Sequence, residues 1–111
     1  MGINEAILAA VTPVVPEVAA NQYPGDASTY ATFNYQENPY FFADGEPEAL
    51  RYDVQVHLFL PLTRDPRSLI HNIRRGLAAM EFTHPIVVNM SDGEGQHYVF
   101  ECEYTEVYDD A

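Results

Sequence analysis

Between Tyr52 and Leu60 the chain alternates: Tyr52, Val54, Val56, Leu58 and Leu60 take every second position, with Asp53, Gln55, His57 and Phe59 between them. Successive side chains of a strand point to opposite faces, so a run with this period commits the segment to a sheet with one face in a core and the other turned to water or to a partner. Such a sheet needs a cover on its apolar side. Two segments have the helical period to supply it.

The first is Asn4–Val11. It has a capping Asn, an acidic first turn, and Ile3, Ile7 and Val11 four residues apart on one face; Pro13 and Pro16 end it. The second begins at Asp65-Pro66, with Asp at the N-cap and Pro at the first helical position, and carries Ile70, Ile73, Leu77 and Met80 at helical spacing. Gly76 inside it costs roughly 1 kcal/mol relative to Ala. It points either to close approach of a neighbouring element or to simple tolerance.

Further strands are expected at Tyr30–Gln36, which is aromatic and β-branched, and at Ile86–Met90 and Gln96–Val107, joined by Ser91-Asp92-Gly93-Glu94-Gly95 with Asp-Gly at the centre of the turn. Residues 38–48, Asn-Pro-Tyr-Phe-Phe-Ala-Asp-Gly-Glu-Pro-Glu, read as a long projecting loop or an extended β-arm, because prolines and an Asp-Gly step interrupt regular pairing. The expected fold is α+β: a mostly antiparallel four-stranded sheet with two helices packed on one face, plus the projecting segment. At 111 residues the chain has room for one domain, spanning 1–111.

Charge is unevenly placed. Seventeen acidic residues face five Arg and no Lys, for a net charge of −12. Residues 1–50 hold seven acidic groups and residues 81–111 hold eight, with no Arg in either stretch. All the Arg fall between 51 and 75, and Arg64, Arg67, Arg74 and Arg75 lie just before or within the second helix, so a positive strip on a negative body is expected. The acidic excess argues against specific binding to nucleic acid or anionic lipid, which takes clustered cations. With no run of about 18 apolar residues and no basic leader, a soluble, untargeted protein is expected. A lone Cys102 in an apolar alternating run reads as a reduced, buried thiol.

Catalytic patterns are missing. His57, His71, His84 and His97 are too far apart in sequence to suggest a metal site. Glu101 and Glu103 share a strand face, as an acid and base pair would, but the same spacing arises on any solvated strand of an acidic chain. Asp92-Gly93-Glu94-Gly95 lacks the distal ligand of a calcium loop. Ser28, Ser68 and Ser91 sit in no nucleophile elbow, and no glycine-rich phosphate loop occurs. Neither an enzyme nor a cofactor is expected. Tyr40-Phe41-Phe42, within a stretch holding Glu46 and Glu48, reads instead as a protein contact or as a cap on the chain's own core.

Four stretches carry a resemblance: Tyr30-Ala31-Thr32-Phe33-Asn34-Tyr35; Arg51-Tyr52-Asp53-Val54-Gln55-Val56-His57-Leu58-Phe59; the helix closing on Met80-Glu81-Phe82; and Val99-Phe100-Glu101-Cys102-Glu103-Tyr104. In their order and strand sequences they resemble the tail-terminator and tail-completion proteins of long-tailed bacteriophages and prophages, over nearly the whole chain. The resemblance implies a homo-oligomer, usually a hexameric ring, at the head-proximal end of the tail tube in the virion, assembled in the bacterial host's cytoplasm. There it would end tube polymerisation and meet the tail tube protein and the head connector or stopper. The resemblance implies no catalytic residues. A ring is built from heterologous contacts between two different patches, and the charge pattern offers two: Arg67, Arg74 and Arg75, or Arg51 and Arg64 beside them, against acidic residues of the arm or the last hairpin. Negative walls would also suit a bore that DNA passes without sticking. Alternative readings are a small ligand-binding or regulatory α+β module, an acidic mimic of nucleic acid, and a head-side connector or adaptor.

Overall fold

The computed structural model describes the backbone of residues 1–43 and 46–107, and side chains in that range outside 39–48 and 107. The apolar periodicities resolve into α1 (Ile3–Val11), β1 (Val18–Ala20), β2 (Tyr30–Ala43), β3 (Glu46–Leu60), α2 (Arg67–Ala79), β4 (Ile86–Asn89) and β5 (Gln96–Val107). The strands form one sheet in the order β1-β2-β3-β5-β4. The α+β class is as expected, but the sheet has five strands and is mixed, because β1 pairs parallel to β2 at Val18↔Ala31 through Ala20↔Phe33. Three residues between prolines and a turn-rich stretch show no period of their own. What makes them a strand is the outer edge of β2, where Ala31 N–H donates to Glu17 C=O and Asn21 N–H to Phe33 C=O, each at 2.8 Å.

The alternating residues of β3 behave as their period requires. Tyr52, Val54, Val56, Leu58 and Leu60 are buried with Phe33, Phe100, Cys102 and Tyr104 beneath Ile3, Ile7 and Val11 of α1 and Leu69, Ile73 and Leu77 of α2. Both helices therefore lie on one face. Gly76 is where they meet: a Cβ there would run into the backbone carbonyl of Ala10, so close approach is the correct reading of that glycine.

Helix starts differ from expectation by two residues in α1 and by one in α2. α1 starts at Ile3 with Gly2 at the cap, and Asn4 lies inside the first turn, where its Oδ1 accepts the Tyr35 hydroxyl at 2.8 Å instead of capping. α2 starts at Arg67, with Pro66 rather than Asp65 in the cap position, and Asp65 Oδ1 accepts the Arg67 N–H at 3.1 Å. At its far end, Phe82 N–H donates to Leu77 C=O and Glu81 N–H to Ala78 C=O, both at 3.1 Å, with Glu81 at φ 68°. This is a Schellman closure, and Glu81 occupies the left-handed position that glycine usually fills.

Of the two readings of 38–48, the β-arm is correct for the backbone. β2 and β3 pair in one register from Tyr30↔Phe59 out to Ala43↔Glu46, past the last β5 pair at Ala49↔Val107. Pro39 fits because odd-numbered residues of β2, such as Ala31 and Phe33, direct their backbone groups to the outer edge. Its missing N–H is lost from that edge and not from the ladder with β3. The molecule measures 54 × 24 × 22 Å.

Candidate functional site

Among the described residues no helix packs over the sheet face opposite α1 and α2, although Thr32 and Val99 on it are buried by their neighbours. Its register sets out rows of side chains: Tyr30, Phe59 and His97; Thr32, His57, Val99 and Val88; Asn34, Gln55, Glu101 and Ile86; Gln36, Asp53 and Glu103. Asp53, Glu101 and Glu103, with Asn34, Gln55 and Ile86, line an open groove of about 690 Å³. Ile86 (68% exposed) begins an apolar row that continues beyond the groove through Val88 (36%) and Met90 (57%). Glu101 and Glu103 do share a face, and the register brings Asp53 opposite Glu103, so the pair belongs to a three-carboxylate cluster.

At the other end of this face the rings stack: Tyr23 on Tyr30 (4.5 Å between centroids), Tyr30 on Phe59 (4.7 Å) and Phe59 on His97 (4.3 Å). Since each ring uses its face on the next, the ladder shows mainly edges to the outside and offers little surface for stacking a planar ligand. His57 Nδ1 and His97 Nε2 are 2.8 Å apart, and the Asn34 amide nitrogen is 3.1 Å from His57 Nε2. With that amide donating, His57 carries its proton on Nδ1 and donates it to His97. Burial pushes both imidazoles below their usual pKa; for His57 the neighbouring ring lowers it further, while for His97 Asp92 pulls the other way.

In sequence the four histidines are scattered. Forty positions separate these two, and only the β3–β5 register, which places Phe59 opposite His97, reveals the pair. Among the described residues no three His, Cys, Asp or Glu side chains converge as a metal site would require. Cys102 is buried as expected, and burial, with Glu103 adding to it, pushes its thiol up to about 12. No helix among the described residues is long and apolar enough to cross a membrane.

The expected basic strip lies on α2. At 100° per residue, Arg74 stands about 100° and Arg67 about 120° round the helix from the buried Ile73, with Arg75 about 200° round, on the outer side. Arg67 is engaged with Asp65, its Nη2 2.7 Å from Oδ2, and that contact holds the Asp65 carboxyl down at about 2. Arg74 and Arg75 meet no described carboxylate, and Arg74 Nε is shielded from solvent with no acceptor among the described residues. Arg64 lies in the loop before α2 and donates to Thr29 Oγ1 at 2.9 Å.

Arg51 is not beside the strip. Its place between Leu50 and Tyr52, which both pack toward the core, and opposite Asn38 and Thr105, puts it on the uncovered sheet face with Asp53. The side chains of Tyr40, Phe41, Phe42, Glu46 and Glu48 lie outside the described residues; their backbone is part of the arm. No protein-family model matches this chain, and no curated protein matches it.

Proposed function

We propose that this protein is a structural, non-catalytic subunit that works by docking onto copies of itself and onto other parts of a virion. In its most specific form it is a ring that caps the head-proximal end of a phage tail tube, ends tube polymerisation and joins the head connector. The reading rests on the four-stretch resemblance given above. One structural observation supports it above the others: an acidic uncovered sheet face and a basic helix flank stand on different sides of one subunit, which is the arrangement a heterologous, ring-forming contact uses.

The groove's volume falls within the range of small-molecule sites, yet it is open and rimmed by carboxylates, whereas such sites enclose their ligand in a largely apolar wall. That weighs against a metabolite-binding module. Native mass spectrometry tests the reading: a single ring mass with no small molecule retained is expected. A monomer carrying a stoichiometric metabolite overturns it. Location is tested by antibodies to this chain applied to virions that contain it, which should decorate the head end of the tail and nowhere else.

A further inference from the structure

We propose that the groove on the uncovered sheet face receives helix α2 of a second copy, with Arg74 and Arg75 of the incoming helix meeting Glu101, Glu103 and Asp53. The inference rests on the self-assembly reading above and deepens it by naming both halves of the contact.

Two observations carry it. The groove gathers three carboxylates beside the exposed Ile86, and Val88 and Met90 carry the apolar row on along the same edge, so a fitting occupant is cationic and covers apolar surface next to its charges. The flank of α2 offers that combination, since Arg67, His71, Arg74 and Ala78 follow one another at i, i+4, i+7 and i+11. Arg75 stands next to them, and Ala78 and Ala79 are exposed and small enough to let the helix lie close to a sheet.

Direction matters as well. Ile73 points at the sheet, so the Arg67 and Arg74 side of α2 faces roughly 110° away from the direction in which the uncovered face looks. Two patches that looked in opposite directions would stack copies in a straight line. Patches turned this way make each copy rotate relative to the last, and the chain of contacts can close.

The net charge of −12 on each copy opposes any approach. At about 0.15 M salt the Debye length is about 8 Å, so repulsion between the two bodies is largely screened while pairs at hydrogen-bond distance are not. Double-stranded nucleic acid is excluded as the groove's occupant because its phosphates would meet three carboxylates.

Charge reversal tests the pairing. R74E/R75E and E101R/E103R, each alone, are expected to lose the oligomer mass in native mass spectrometry, or to need at least about tenfold more protein to assemble. Mixed one to one they should regain it as an alternating assembly, since the reversed helix fits the reversed groove and the native helix fits the native one. The quadruple variant should assemble by itself. Circular dichroism melts establish that each variant is folded; where a double variant is not, R75E and E101R, both at exposed positions, replace it.

An oligomer unaffected by either reversal, or variants that do not complement on mixing, overturns this contact and leaves the assembly reading standing. A wild-type chain that stays monomeric at every concentration overturns both.

Discussion

Glu81 is the residue most plainly at odds with its place. It holds a left-handed conformation, φ 68°, at the end of α2 because the Schellman bonds and the burial of Leu77 and Phe82 on either side demand it. Leaving that conformation to glycine releases about 1–2 kcal/mol, against about 0.4–1 kcal/mol for a more flexible unfolded chain. Glu81→Gly should therefore stabilise the protein by about 0.5–1 kcal/mol in urea denaturation. Gly76→Ala runs the other way. The helix would gain about 1 kcal/mol in propensity, but the new methyl meets the Ala10 carbonyl, a backbone group that cannot swing aside. Overpacking of this kind costs about 1–3 kcal/mol, so a net loss of up to about 2 kcal/mol is expected by the same measurement. The His57–His97 pair gives a pH dependence. Both imidazoles are held below their ordinary value of 6.5 in the fold, so as pH falls the unfolded chain takes up protons first. The stability contributed by the neutral pair is present above pH 6.5 and is lost as pH falls through the folded values. His97→Gln should flatten the slope of stability against pH below 6.5; equal slopes in variant and wild type would contradict the assignment.

At the scale of elements, the β4–β5 connection shows what the residues could and could not foretell. Asp-Gly at its centre suggested a tight turn, yet neither Gly93 nor Gly95 has a left-handed φ. The loop is held instead by Asp92 Oδ1, which accepts the N–H of Glu94 at 2.8 Å and of Gly95 at 3.2 Å. At about 0.5–1.5 kcal/mol for a typical net hydrogen bond, Asp92→Ala should cost about 1–2 kcal/mol of stability, whereas Gly93→Ala, with open space for its methyl, should cost less than about 0.5 kcal/mol. The strongly periodic elements were legible because periodicity is a local property: Tyr52–Leu60 announces its own buried face, and Ile73 and Leu77 theirs. β1 was not, since Val18-Ala19-Ala20 becomes a strand only through the free edge that β2 presents. The arm was half legible. Pro39 looks like an interruption in sequence, and only the direction of its backbone, outward from β2, reconciles it with a continuous ladder. Of the candidate site, the Arg strip is legible from helical spacing, whereas Arg51, one residue before the alternating run, takes the uncovered face by strand parity and so lies apart from that strip. The His pair and the third carboxylate depended on cross-strand register, which the sequence does not print.

For the molecule as a whole, the question is what a body with net charge −12 and a cationic flank does near DNA. Affinity for duplex DNA scales with the number of phosphates neutralised, and six to ten contacts are typical of proteins that depend on this term. This chain has five Arg, of which Arg67 is occupied by Asp65 and Arg51 stands on the uncovered face that also carries Asp53 and Glu103. At most three are left on one side, Arg64, Arg74 and Arg75, against the field of seventeen acidic groups. Repulsion wins. No retardation of duplex DNA is expected in an electrophoretic assay at about 0.15 M salt, and the E101R/E103R variant, which changes the net charge by four units, should still show none at protein concentrations below about 10⁻⁵ M. A subunit docked through its basic flank would in addition bury that flank in the contact, so an assembled ring would present DNA with less positive surface than the free subunit does. Retardation by the wild-type chain would mean that the Arg strip is a phosphate contact, and the helix-to-groove pairing would then have to give way to it.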